Sequence, residues 1–260
     1  MDPVFGIDVS KWQGNYDFGE ASRQGARFAV IRAGGSYEDG GCYRDPNLTT
    51  NLRKAREEGM EVGVYWYSSA MDNHQIVIEA DFLADILEDE CLELPVYLDI
   101  ETAQQAKPTR RRINTAMVLM WCATLLSRGF MGGVYSFASF VSNCLDTRFL
   151  EGIPLWVASY THDPPNVAGM TMWQFGGDVN YVREPEIGGV VTDQNYKYID
   201  WVPYLRASSL NNLTTLRGVA LEVLDGKWGN GNERRKALES AGYDYASVQA
   251  EVNRILRNGG

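Results

Sequence analysis

The 260-residue sequence predicts an α/β chain: a β/α barrel whose second half lacks regular helices, followed by a small unit of three helices. Three observations lead there. Eight short runs rich in β-branched and aromatic residues recur over the first three quarters, helix-length segments separate the early runs, and only helical periodicity remains past residue 213. Strands that alternate with helices favour a mainly parallel sheet, and eight of them can close on themselves. A doubly wound open sheet is the alternative, but no glycine-rich phosphate-binding turn follows the first strand.

The strand candidates are "VFGIDVS" (4–10), "FAVIRAG" (28–34), "VGVYWYSS" (62–69), "PVYLDIE" (95–101), "GGVYSF" (132–137), "PLWVASY" (154–160), "MTMWQFGG" (170–177) and "GVVTDQN" (189–195). Helix candidates run from Asn47 to Glu58, His74 to Leu87 and Arg111 to Ser127. The connections at 163–167 and 178–187 contain Pro or Gly and read as loops. Residues 1–205 form the expected barrel, and Ser/Asn-rich 206–213 read as a linker. Residues 214–260 form the helical unit, with Leu216, Ala220, Val223 and Leu224 on the first helix. Asn232 is expected to cap the second helix, and Asp244 a third that carries Val248, Val252, Ile255 and Leu256.

The formal charge of −10, without a concentrated basic patch, excludes nucleic acid and anionic membrane as partners. The acidic excess lies ahead of residue 214, so adhesion to an anionic target would fall to the separate C-terminal module. Cys42, Cys91, Cys122 and Cys144 form no CxxC or Cys/His cluster and read as reduced thiols. The start "MDPVFGID" lacks a basic, apolar secretory signal, and the uncharged stretch 113–127 is shorter than a bilayer span of about 20 residues. Synthesis in a host cytoplasm, with release by another route, is expected.

Carboxylates carry the chemical signal. Alternation in "LDIE" sends Asp99 and Glu101 to one face, with Tyr97, and sends Val96, Leu98 and Ile100 to the other. Asp8 in the first strand alternates with Ile7 and Val9, and Asp193 lies near the carboxyl end of the eighth. A closed barrel makes the first and eighth strands neighbours, so all four acids should share one mouth. Crowded carboxylates cannot all ionise, so one pKa should rise and make a general acid. Glu101, longest and outermost, is the candidate; Asp99 would stay charged and stabilise an oxocarbenium-like transition state. Strand-end acids can also merely cap helices or pair with a base such as Arg32. Four carboxylates could hold a hard cation, but neither EF-hand spacing nor a ligating His accompanies them, so no metal or other cofactor is expected. Tyr65, Tyr67 and Tyr135 should face the mouth, with Trp12, Trp156 and Trp173 on or beside strand ends; such rings stack on the apolar faces of sugars.

"GIDVSKWQG", "LDIE", "LWVASY", "WQF" and "VTDQN", in this order over residues 4–203, resemble the family 25 glycoside hydrolases, the phage and bacterial muramidases of Chalaropsis type. The resemblance implies an irregular, flattened TIM-like barrel that cleaves the β-1,4 bond between N-acetylmuramic acid and N-acetylglucosamine in peptidoglycan, as a phage endolysin lysing Gram-positive cells does. It puts the family's acid on Glu101, its partner on Asp99, and the remaining two carboxylates on Asp8 and Asp193. "TDQN" and "YWY" (65–67) depart from the family's "VDxN" and "YHF". Strand geometry leaves retention and inversion open, because neighbouring inward Cα atoms lie about 6.6 Å apart and side chains diverge from there. The resemblance favours retention, with the substrate's acetamido group as nucleophile and Asp99 orienting it. A chitinase-like glycosidase is the enzymatic rival, although no acid precedes Asp99 in its strand; a catalytically dead wall-binding lectin is the non-enzymatic one.

Residues 214–257 resemble a cell-wall-binding repeat of the CW-seven type, present once. Trp228, Arg234 and Tyr245 are its candidate contacts, with Arg234 best suited to a carboxylate or sugar hydroxyl. One copy forgoes the gain from linked sites, which predicts weak wall binding or self-association.

Overall fold

The computed structural model describes residues 2–177 and 186–258. Eight strands close a ring: β1 (Val4–Val9), β2 (Phe28–Ser36), β4 (Glu61–Tyr67), β5 (Val96–Asp99), β6 (Gly132–Phe137), β7 (Leu155–Ala158), β8 (Met170–Gly176) and β11 (Asp193–Lys197). The order runs β1–β11–β8–β7–β6–β5–β4–β2, and β2 pairs with β1 again. A short β3 (Cys42–Arg44) extends the far end of β2 as an antiparallel hairpin.

Six ring pairings are parallel; β11 is antiparallel to both β8 and β1. The connection from β8 to β11 is 16 residues long. Its described part is a hairpin of β9 (Glu186–Ile187) and β10 (Val190–Val191), turned by Gly188 and Gly189 at φ 67° and 81°. The expected eighth strand therefore splits: Val190 and Val191 pair with β9, and the barrel strand starts at Asp193. Of the loop expected at 178–187, residues 178–185 lie outside the described residues, and 186–187 are strand.

Alternation sorts the side chains into two cores. Outward residues, among them Ile7, Val9, Ile31, Val64, Trp66, Val96, Leu98 and Val134, pack beneath α2 (Leu48–Glu57), α3 (Asn73–Ile86) and α4 (Arg111–Ser127). Inward residues, among them Phe28, Val30, Tyr97, Tyr135, Trp156 and Met172, fill the barrel. Glycine on the inward face makes room for these rings: a Cβ at Gly6 would stand 2.4 Å from the Phe28 ring, and one at Gly133 2.9 Å from Tyr97. The three long helices match their expected spans to within a residue. Shorter α1 (Phe18–Arg23), α5 (Ala138–Cys144) and α6 (Val202–Ala207) complete the barrel, and no helix separates β7 from β8. No described helix is long and apolar enough to cross a membrane.

The C-terminal unit is α7 (Leu216–Leu224), α8 (Gly231–Ser240) and α9 (Tyr245–Asn258), packed around Val219, Ala220, Val223, Leu238, Val248 and Val252. Leu216 and Leu224 on α7 and Leu256 on α9, expected inside, are exposed; the buried stripe of α7 is centred on Val219 and that of α9 on Val248 and Val252. Asn230, not Asn232, holds the cap position of α8, since the backbone oxygen of Asn230 already accepts from Glu233 and Arg234. Asp244 does cap α9, accepting from the Ser247 backbone at 2.8 Å.

The expected linker is a fastened strap. Leu210, Asn211 and Leu213 are buried. Asn211 accepts from Met131 N at 2.8 Å and donates to Leu94 O at 2.8 Å, while Asn212 donates to the Glu88 and Glu90 carbonyls. Both asparagines sit in the left-handed region, at φ 57° and 59°, which their short polar side chains tolerate. Its anchors lie just ahead of β5 and β6, so the strap crosses the floor of the barrel. Lys227 in the helical unit then pairs with Glu93 at 3.5 Å, and Glu222 on α7 with Arg206 on α6.

Candidate active site

Asp8 is the penultimate residue of β1, Asp99 ends β5, Glu101 follows two residues later, and Asp193 opens β11; all four line one cleft of about 230 Å³ at the rim where the parallel strands finish. Asp8 and Asp193 are direct cross-strand partners. Asp193 was expected near the carboxyl end of its strand; it is the first residue instead, and reaches this rim because β11 runs the other way. Gly177 lies so close that a Cβ there would stand 1.9 Å from Asp193 Oδ1.

Asp8 is held from behind. Its Oδ2 accepts from Gln174 Nε2 at 2.9 Å and Asn195 Nδ2 at 2.8 Å. Tyr135 and Tyr160 donate to Gln174 Oε1, and Trp156 Nε1 donates to Asn195 Oδ1 at 2.9 Å. An indole nitrogen can only donate, so it turns the Asn195 amide to present its NH2 to the carboxylate. Even so, burial outweighs these bonds and pushes Asp8 up to about 6.

Burial also raises Asp99 well above the usual carboxylate range, with Glu101 adding repulsion and Arg32 opposing it. Asp99 Oδ1 is buried and has no hydrogen-bond partner. Glu101, half-buried, is raised by the same loss of water, against the pull of Arg32. Asp99 was expected to stay charged; it is more deeply buried than Glu101, and no donor meets its Oδ1, both of which oppose that charge. Three close carboxylates titrate together, so the cluster retains protons that isolated acids would have released.

Arg32 lines the cleft as well, donating to the Tyr43 hydroxyl with its guanidinium 5.0 Å from the Tyr67 ring. It makes no ion pair with a carboxylate among the described residues, so it biases the acids through space without neutralising one.

Tyr65, Tyr67 and Tyr135 line the cleft as alternation predicts. Trp156 forms part of its floor, but at 1% exposure it offers no face for stacking; its part is to orient Asn195. Trp173 is not at the cleft. Gln174 occupies the inward face of β8, so Trp173 turns outward onto Phe175 and Tyr196 and donates to Ser159 O at 2.8 Å. Trp12 is 75% exposed and stands outside the cleft. Gln174, Asn195, Tyr160 and Phe137 are cleft or supporting residues that the sequence reading missed. Gln174 and Asn195 lie within "WQF" and "VTDQN", and extending the alternation from Asp193 to Asn195 would have found the latter. No group of His, Cys, Asp and Glu among the described residues has metal-binding geometry.

In the helical unit, Trp228 donates to Glu222 Oε2 at 3.0 Å and meets Tyr243 edge-on. Arg234 binds Gly229 O and Asn230 Oδ1, both at 3.1 Å, and Tyr245 packs at the edge of the core beneath Arg235.

Comparison with known proteins places this geometry. Residues 7–182 match the model of the glycosyl hydrolases family 25, and residues 218–256 match the CW_7 repeat. A lysozyme of Streptococcus phage Cp-7 is 26% identical over 96% of this chain and 69% of its own length. An autolytic lysozyme of Clostridium acetobutylicum is 25% identical over 62% of this chain, which spans 47% of that relative. Among solved structures, the Clostridium perfringens spore cortex lytic enzyme SleM superimposes with a TM-score of 0.63 over 75% of this chain and 67% of its own, at 23% identity.

Proposed function

Because the chain belongs to family 25 of the glycosyl hydrolases, we propose that it is an N-acetylmuramidase. It cleaves the β-1,4 bond between N-acetylmuramic acid and N-acetylglucosamine in peptidoglycan and serves as an endolysin against Gram-positive cells. The observation that carries this reading is the convergence of Asp8, Asp99, Glu101 and Asp193 on one cleft, in which burial favours the protonated form of the first three. A cleft built only to bind neutral sugar has no use for acids kept so far out of water.

Glu101, the more accessible of the β5 pair, donates its proton to the glycosidic oxygen as the C1–O bond breaks. The substrate's acetamido oxygen adds to C1 from the opposite face. Asp99 takes up the acetamido N–H on its unpartnered Oδ1, and the cyclic intermediate is then opened by water that Glu101 deprotonates. Configuration is retained. Asp8, fixed by Gln174 and Asn195, and Asp193 beside it supply negative potential to the developing cation. Tyr65, Tyr67 and Tyr135 present ring edges and hydroxyls to the sugars. The CW_7 repeat contributes wall affinity through a face that includes the half-buried Arg234 and Tyr245. The lysozymes of phage Cp-7 and Clostridium acetobutylicum support the assignment by likeness.

Mass spectrometry of purified peptidoglycan digested by the protein tests the proposal. New reducing ends on N-acetylmuramic acid are expected; reducing N-acetylglucosamine, or no cleavage, overturns it. Proton NMR of the first-formed anomer should show β, and an α product rejects retention.

A further inference from the structure

Glu101 must aim a proton, yet no regular structure holds it. β5 ends at Asp99, and residues 100–107 are turns and irregular backbone. Ala103, Gln104, Ala106 and Lys107 are exposed, but Gln105 among them is fully buried. A primary amide carries two donor hydrogens and an acceptor oxygen, and burying it is costly unless all of them are met.

Every part of this amide is used. Gln105 Oε1 accepts from the Thr102 backbone N–H at 2.9 Å, and Nε2 donates to Ser68 O at 3.1 Å and Ala70 O at 2.9 Å. Thr102 directly follows Glu101, and Ser68 directly follows Tyr67, the last residue of β4. Ser68 in turn donates its own N–H to Asp99 O at 2.9 Å. A closed path thus runs from Asp99 through Ser68 and Gln105 to Thr102, bracing the Asp99–Glu101 segment from outside. Within that segment Ser136 Oγ donates to Ile100 O at 2.6 Å, and from behind Asn114 on α4 donates to Gln105 O at 2.9 Å. Closing the turn at 102–105 needs only the backbone bonds from Gln105 and Ala106 to Thr102 O. The side chain is spent on reaching a different strand.

We propose that Gln105 is a positioning residue for the reaction: its side chain staples the backbone beyond Glu101 to the end of β4 and so fixes the distance between the Glu101 and Asp99 carboxyl groups. The inference rests on the muramidase reading, in which those two groups must reach two atoms of one sugar at the same time.

Three variants test it. Gln105→Met keeps the length of the side chain and removes all three bonds; Gln105→Glu keeps an oxygen for Thr102 but cannot satisfy both carbonyls. Asn211→Ala removes a buried amide from the strap on the barrel floor and controls for stability lost far from the cleft. On soluble glycan fragments, below the Tm of every variant, Gln105→Met should lower kcat about 10- to 100-fold and change KM by less than about twofold. The alkaline limb of its pH–rate profile should move to lower pH, because a Glu101 released toward water loses the burial that holds its proton. Asn211→Ala should lose Tm and keep both kcat and profile. Gln105→Glu should be at least as unstable as Gln105→Met and yet more active. Activities that follow Tm across the three variants, or a Gln105→Met profile that stays in place, overturn the proposal. In the wild type, hydrogen exchange at the Thr102 amide should be as slow as in the neighbouring strands; fast exchange overturns the proposal even where the Gln105 variants fail to fold. A wild type that cleaves no peptidoglycan overturns the muramidase reading itself.

Discussion

The indole N–H of Trp156 donates to Asn195 at 2.9 Å, and through that bond a buried tryptophan decides which end of an amide faces Asp8. Trp156→Phe keeps the ring and removes the donor. Asn195 Oδ1 is then unsatisfied in a dry site, at a cost of about 1–3 kcal/mol in stability. With the amide free to turn its oxygen toward Asp8, kcat should fall about tenfold with little change in KM, and the acid limb of the pH–rate profile should move upward. An unmoved profile would show that Asp8 does not depend on this bond.

Glu101→Gln should abolish lysis of cell walls, a loss of at least about 10²–10⁴ in kcat, because the amide cannot donate a proton to the leaving oxygen. Sedimentation with insoluble walls should be almost unchanged, since the repeat is untouched. Lysis at wild-type rate would remove Glu101 from the mechanism.

Asp8 makes stability depend on pH with a definite sign. Its pKa rises from 3.8 when unfolded to about 6 when folded, so the folded state holds the proton more tightly. The stabilising contribution is complete below pH 4 and is lost as pH climbs through 6, about 3 kcal/mol in all before coupling to Asp99 and Glu101. Asp8→Asn keeps an oxygen to accept from Gln174 and Asn195. Its Tm should exceed that of wild type at pH 7, and the gap should close at pH 4; a gap of equal size at both would refute the assignment.

Gly177→Ala places a methyl where Asp193 keeps its carboxylate, 1.9 Å from Oδ1. The side chain has to swing away, and a misplaced charge at the mouth can lower kcat by up to about 100-fold. Calorimetry should find a much smaller change in Tm than the rate predicts. Equal activity would mean that Asp193 can move without consequence.

Truncation separates the strap from the repeat. A chain ending at Leu213 keeps Asn211 fastened to Met131 and Leu94, and should still cleave short soluble glycans while binding walls less well. One ending at residue 205 strips both hydrogen bonds and bares the floor under Leu210 and Leu213, so its Tm should fall by several degrees. Matching Tm values would return the strap to the status of a passive linker.

Much of this was legible in the residues. Alternation alone brought Asp99 and Glu101 to one face and placed Tyr65, Tyr67 and Tyr135, because strand parity is local. Reversal of β11 was not legible, since nothing in "GVVTDQN" reports the direction in which its neighbouring strands run. Trp173 was misplaced where the same parity, applied from Gln174, would have turned it outward. Asn211 and Asn212 look like solvent-loving linker residues, and only the floor carbonyls and amides they meet, far away in the chain, give them buried work.

Because β11 is the last rung to be laid and pairs with the first, the catalytic mouth has a built-in delay. At about 5–20 residues per second, a nascent chain that already carries Asp8 lacks the opposing Asp193 until 185 further residues have been added. Fragments that end before β11 should therefore leave cell walls intact, with lysis first seen in chains long enough to close the ring.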